Sequence, residues 1–454
     1  MKDFSRRDVM KLGLMSAGTL MLPRMAFPAL QQQDDDHFFL QIYVNGGADN
    51  SYMFDARPLE MTATGKIQNY LGLEPNLFTG ANGVTTLATD LTKPLWSYRD
   101  CFSVLNGVTM STSFDGHLQN LNDLVSGNPF GGDSFVPFLN NKINGRSITS
   151  IDAIQSGFIP AAVSNGEKIV PLSGSSVGPL AEKLKAITDL DGTELGAHIR
   201  SRISANSAGS GLFAGGAREM QMGFDQMAPL RARLMNLKSP DKTLDDETQF
   251  VSFLAGIFKQ RVARAALWTL PGAFDTHAFQ QAIGQPKMFT DYVGRLARIM
   301  KAMKSTPYDD KRSMMDVTTF LVTTEFGRTM RAPNTPIDKT GTNHNTLSNS
   351  LLIGGKGIRS NLVIGQSDFR TSTEVLSKAH AALDPDFQKL MGRPFDFSAL
   401  KPRTDLPETF AETDYLNVGS VINTLFDQFG VAKNQWRTVG RDKVVVPSLK
   451  GLLI

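Results

Sequence analysis

Five side chains able to hold a divalent metal stand in four separate motifs of this chain. Asp49 lies in Gly46-Gly47-Ala48-Asp49-Asn50, and Asp275 and His277 lie in Phe274-Asp275-Thr276-His277. Glu325 lies in Thr324-Glu325-Phe326-Gly327-Arg328-Thr329, and His344 in Gly341-Thr342-Asn343-His344-Asn345. Carboxylates mixed with imidazoles suit zinc, manganese or another divalent ion, because the carboxylates offset the metal charge. Singly, each motif is weak. An Asp-x-His pair is more often a surface loop, and Glu325 could cap a helix or pair with Arg328. The weight comes from repetition, since each motif adjoins a short apolar run.

Two more residues extend the set. His117 follows Ser113-Phe114-Asp115-Gly116 and opens a helical stretch, Leu118 to Ser126, that ends at Gly127. A helix N-terminus favours anions and keeps imidazole neutral, so His117 reads as a metal ligand, a nucleophile or a general acid. It reads equally as a group bonding the turn backbone. Arg328 carries a planar fork that would clamp an anionic substrate or pair with a neighbouring carboxylate. His37, His198 and His380 lack comparable partners and read as surface residues.

These residues need elements to position them. Phe38–Val44, Phe102–Leu105, Ala265–Leu270, Val317–Thr323 and Leu351–Ile353 read as short strands. They alternate with helical patterns, the clearest from Phe289 to Met303 and another from Val418 to Phe429. Such alternation predicts an α/β fold with a mostly parallel sheet. Ligands then gather beyond the carboxyl ends of the strands, where three of the motifs fall; the fourth, with His344, comes just before the last strand. Ser201 to Gly216, rich in Ser, Ala and Gly, reads as a flexible loop. Glu219 to Leu237 reads as a helix whose methionines serve packing. Asp368 to Asp405, with weak periodicity and several prolines, reads as an excursion beside the active face.

Composition narrows the class. With 41% hydrophobic and 20% charged residues in 454, the chain is globular. Residues 1–30 hold five basic and two acidic side chains, which leaves 42 of each sign in the remainder. That balance argues against nucleic acid as a partner. Cys101 is the only cysteine, so neither an internal disulfide nor a thiolate zinc cluster can form. It falls at the start of an apolar strand and reads as a small buried hydrophobe.

The N-terminus reads as an export address. Ser5-Arg6-Arg7-Asp8-Val9-Met10-Lys11 precedes the apolar run Leu12 to Leu22, which is short for a membrane span. The arginine pair fits the twin-arginine route, which carries folded cargo; the alternative is an ordinary Sec signal in which two arginines fall by chance. The expected organisation is a leader over 1–30 and one α/β domain over 31–454, with insertions near 201–250 and 368–405. No stable transmembrane segment is expected after cleavage.

At these motifs the chain resembles the bacterial domain-of-unknown-function family 1501, a family associated with twin-arginine export. Its marks are matched by Gly46-Gly47-Ala48-Asp49, Phe274-Asp275-Thr276-His277, Thr324-Glu325-Phe326-Gly327-Arg328-Thr329, Gly341-Thr342-Asn343-His344 and Gly354-Gly355. The likeness spans roughly residues 38 to 430. Phe274 stands where the family carries Trp, Asn343 where it carries Asp, and Asn345 where glycine is common. The family is similar to the alkaline phosphatase and sulfatase superfamily. That similarity implies a three-layer α/β/α sandwich with a one- or two-metal site. It also places His117 near the nucleophile position, where sulfatases carry formylglycine, serine or threonine.

Two functional expectations follow. The first is a periplasmic or otherwise exported, metal-dependent hydrolase of phosphate or sulfate esters or of an exported polymer, delivered by the twin-arginine machinery. Asp49, Asp275, His277, Glu325 and His344 would hold the metal, with His117 and Arg328 facing the reacting group. The second is an exported binding or assembly protein that keeps the fold without turnover.

Overall fold

The computed structural model describes chiefly residues 36–57, 75–110, 116–127, 177–207, 228–239, 241–331, 341–369, 390–407, 409–431 and 445–454, with shorter pieces between them. The expected leader over 1–30 and His380 lie outside the described residues.

Eight strands form the central sheet: β1 (Phe38–Asn45), β2 (Phe102–Leu105), β3 (Ile151–Asp152), β4 (Val170–Pro171), β5 (Ala265–Ala273), β6 (Thr318–Thr324), β7 (Leu351–Gly355) and β8 (Val363–Ile364). Their spatial order is β8-β2-β7-β6-β1-β5-β3-β4. β6, β1 and β5 run parallel to one another at the centre. β7 is antiparallel to both β6 and β2. Two reversals return β2 to the direction of β6, so the carboxyl ends of β1, β2, β5 and β6 share one rim. The amino end of β7 faces the same rim. The mostly parallel α/β sheet read from the sequence is therefore present, with β7 as the antiparallel member.

Six helices matter for the layout: α1 (His117–Ser126), α2 (Val177–Asp191), α3 (Glu194–Ser207), α4 (Asp246–Lys259), α5 (Phe279–Ser305) and α6 (Val418–Gln428). Alternation along each strand sends side chains to opposite faces. Phe38, Leu40, Ile42 and Val44 join Trp268, Phe320, Val322 and the apolar stripes of α4 and α5 in one core cluster. Phe39 and Tyr43 join Leu267, Leu321, Ile353 and the stripes of α1 and α6 in another. A strand buried on both faces must be mostly apolar, which is why β1 reads as a near-continuous hydrophobic run; its buried Gln41 donates from Nε2 to Thr323 Oγ1 at 3.3 Å.

Two expectations are corrected. The Ser/Ala-rich run does not begin as a loop at Ser201, because α3 continues to Ser207. Its start is fixed by Thr193, whose Oγ1 accepts from Gly196 N at 3.1 Å, and helix once nucleated tolerates small residues well. His37 is not on the surface; it is buried, 2.7 Å from Thr319 Oγ1 and packed on Phe429. Cys101 is buried as expected, and burial pushes its thiol up to about 12, which makes it inert.

The β1 carboxyl end depends on glycine. Register slips between Val44, paired with Leu270, and Asn45, paired with Ala273. The chain then turns through Gly46 at φ +99° and Gly47 at φ +73°. A Cβ on Gly46 would lie 2.5 Å from the backbone nitrogens of Phe274 and Asp275. Gly46→Ala is therefore expected to destabilise by about 2 kcal/mol or more, through strain and overlap together. Gly284 in α5 has open space around it, so Gly284→Ala should instead stabilise by about 0.5–1 kcal/mol. Chemical denaturation of the two variants checks the contrast in sign.

Candidate metal centre

Four of the candidate residues meet at the rim. One donor atom from each of His117, Asp275, His277 and His344 lies within 4.8 Å of the other three, a group that could hold a metal ion. Asp275 Oδ1 is 3.0 Å from His277 Nε2 and 3.5 Å from His117 Nε2. His277 Nε2 and His344 Nε2 are 2.9 Å apart. Two imidazole nitrogens at that distance need either a shared proton or a cation beside both. His117 Nε2 is buried and accepts or donates no hydrogen bond. Three nitrogens and one oxygen converging in this way fit a divalent ion of borderline softness.

The four ligands arrive by three routes. Asp275 and His277 follow β5, and their loop is pinned by Thr342 N to Thr276 O at 2.8 Å and Gly341 N to His277 O at 3.0 Å. A Cβ on Gly341 would lie 2.3 Å from Thr276 O, so close approach requires glycine. His344 belongs to a two-residue strand, His344–Asn345, paired antiparallel with Gly327–Arg328 just after β6. His117 is the first residue of α1. The Phe326 ring underlies two of them, with centroids 4.9 Å from His117 and 4.3 Å from His344.

Glu325 and Arg328 lie beneath the four donors. Glu325, with 1% of its side chain exposed, receives Gly46 N–H at 2.7 Å and Tyr43 O–H at 2.8 Å, and its Oε1 is 2.9 Å from His117 Nδ1. It stands behind His117, outside the group of four. Arg328 is fully buried at the side chain and donates Nε to the carbonyls of Gly46 and Gly47, at 3.1 Å each. Its Nη2 reaches Asp275 Oδ1 at 2.8 Å and Gly46 O. Of the two roles open to Arg328 in the sequence, the carboxylate partner is the one this geometry contains.

Asp49 is separate from the cluster. It caps the short turn Asn50–Tyr52, accepting from Ser51 N at 3.0 Å and Ser51 Oγ at 2.7 Å. Burial pushes its carboxyl up to about 6, against the pull of those Ser51 bonds and of Arg328. For Asp275 burial also works against the charge, yet the Arg328 bond and charge outweigh it and hold the group below the usual carboxylate range. His277 is held below the usual imidazole value by burial and by Arg328, against Asp275, which keeps its lone pair available.

The departures from the family pattern have structural readings. Asn343 Oδ1 accepts from His344 N at 2.8 Å, a neutral-acceptor role that an Asp would fill as well. Phe274 is buried against Phe289 and Tyr292, where any flat aromatic contributes packing. Asn345 accepts from Leu347 N and donates to Leu390 O. Sequence reasoning missed Tyr43 and Phe326. Phe326 could have been found from its place between Glu325 and Arg328, but Tyr43 carries no signal beyond strand alternation.

Fold and rim together define a mixed α/β protein with a three-histidine, one-aspartate cluster at the carboxyl edge of its sheet. Residues 242–394 match a family model described as "Protein of unknown function (DUF1501)", which supports the resemblance to that family. The curated proteins contain no match to the chain. The matched stretch holds Asp275, His277, Glu325, Arg328 and His344, whereas Asp49 and His117 precede it.

Metal content distinguishes ligands from neighbours. His277→Ala and His344→Ala should each lower zinc bound per chain by at least tenfold, while Asp49→Asn should leave it unchanged, read by elemental analysis after dialysis. Asp49 also sets a pH dependence. Its folded value lies above the ordinary 3.8, so the stability linked to its proton is full below about pH 4 and lost as pH rises through 6. The wild type should therefore lose up to about 3 kcal/mol, relative to Asp49→Asn, between pH 4 and 7.5. Denaturant titrations of both proteins across that range measure the difference.

Proposed function

We propose that this chain is an exported, metal-dependent hydrolase of the alkaline phosphatase and sulfatase type, acting on phosphate or sulfate esters. The observation that supports it most is the convergence of His117, Asp275, His277 and His344 within 4.8 Å at the carboxyl rim of a mostly parallel sheet. Two of the four, Asp275 and His277, leave nearly half of their side chains open to solvent, which gives a substrate a way in. The core clusters on the two faces of the sheet agree with the three-layer sandwich of that superfamily. Zinc is favoured over manganese, because three imidazoles outnumber one carboxylate.

A bound divalent ion would supply Lewis-acid polarisation of the ester oxygen. The chain's own residues would do the rest. His117, His277 and His344 present ring nitrogens, and Asp275 adds one negative charge. Arg328 fixes Asp275 from below and balances Glu325, so neither buried charge lacks a partner. The leader would deliver the folded protein to the periplasm through the twin-arginine machinery. Among the described residues, no helix is long and apolar enough to cross a membrane.

One observation favours the second reading, an exported binding or assembly protein. Arg328 is engaged with Asp275 and the Gly46-Gly47 carbonyls, so the group expected to clamp a substrate anion is held beneath the rim.

A panel of phosphate, phosphonate and sulfate esters with added zinc or manganese tests the choice. Hydrolysis that chelator abolishes and that His344→Ala lowers by at least a hundredfold is the expected result. Metal bound at the site with no turnover on any ester would favour the binding reading. For export, replacing Arg6 and Arg7 by Lys should leave the precursor in the cytoplasm, measured by cell fractionation; normal export of that variant would count against the twin-arginine route.

A further inference from the structure

We infer that Tyr43 is a positioning residue: through Glu325 it locks His117 in the Nδ1–H tautomer, so that Nε2 faces the cluster with a free lone pair. The inference rests on the metal-centre reading for its purpose, but the lock itself belongs to the protein without metal.

Tyr43 lies within β1 on the face that packs against α1. Its hydroxyl is 2.8 Å from Glu325 Oε2 and 3.3 Å from Asn45 Oδ1. Both neighbours are acceptors, and the shorter contact goes to the carboxylate, so the phenol proton belongs to Glu325. Burial and the Glu325 charge push the phenol well above its ordinary value, so it stays a donor. Gly46 N–H, fixed by the β1 turn, donates to Oε1 at 2.7 Å. One obligate donor thus holds each oxygen, and the carboxylate cannot rotate. Oε1 then sits 2.9 Å from His117 Nδ1 and imposes a proton there. Nε2, buried and without a hydrogen-bond partner, is left to meet the cluster. A carboxylate behind a ligating histidine fixes both tautomer and ring orientation. Here the carboxylate is itself fixed by a strand tyrosine from the opposite side.

The test uses the purified full chain with ring-labelled histidines, six in all, assigned through single His→Gln variants. Nitrogen NMR of the metal-free protein near pH 8 should find His117 as the Nδ1–H tautomer. Tyr43→Phe keeps the ring and its packing; it should give a mixed tautomer and weaken zinc binding by about tenfold, within the range expected for such supporting groups. Glu325→Gln should weaken zinc binding by about 10- to 100-fold and Glu325→Asp should recover part of the loss. If Glu325→Gln fails to fold, Tyr43→Phe alone decides. An Nε2–H tautomer in the wild type, or a Tyr43→Phe protein with unchanged tautomer and zinc affinity, overturns the inference. A wild type that shows the lock but binds no zinc would instead remove the metal-centre reading and leave the positioning role standing.

Discussion

Arg328 carries a full positive charge to a place that water does not reach, and the strand ends around it accept its protons. It follows β6, takes the carbonyls of the Gly46-Gly47 turn that ends β1, and binds Asp275 in the loop that ends β5. A guanidinium so placed would cost several kcal/mol if any of these acceptors moved away. The three central parallel strands are therefore tied at their carboxyl ends by one side chain. Glu325, three residues earlier, takes the Gly46 N–H and reaches His117, which brings the start of α1 into the same knot. The metal-capable cluster is joined to these two buried groups through Asp275, which pairs with Arg328, and His117, which meets Glu325.

That arrangement explains why the motif around Glu325 is dense in meaning. Glu325 orders His117, Phe326 carries the rings of His117 and His344, and Arg328 orients Asp275. A Cβ on Gly327 would lie 2.2 Å from Ser348 O, and Thr329 Oγ1 accepts from Asn343 N at 2.8 Å, which sets the turn before His344. None of these roles requires contact with a substrate. Their common effect is to hold four donors, from one loop, one short strand and one helix, at fixed separations, as preorganisation demands.

Much of this was legible in the sequence. The five long-range strands could be read because each is a short apolar run ended by glycine or a polar residue. Asp275, His277 and His344 stood out because metal-capable residues beside successive strands are uncommon by chance, and His117 because it opens a helix. Glu325 and Asp49 were legible as acidic groups at the rim, but not as to what they touch. A carboxylate that binds a backbone N–H and one that binds a metal look alike in one dimension. Tyr43 was invisible, since a tyrosine in a buried strand is ordinary core. The length of α3 was missed for a different reason: Ser, Ala and Gly signal a loop by composition, while the cap at Thr193 and a partly buried face favour helix.

The central claim is that three imidazoles and one carboxylate share an ion at this rim. X-ray absorption at the zinc edge of the zinc-loaded protein tests it most directly. The account predicts a nitrogen and oxygen shell at roughly 2.0–2.1 Å with the outer scattering of three imidazole rings. A shell of oxygen alone, or one with fewer than two imidazoles, would contradict it.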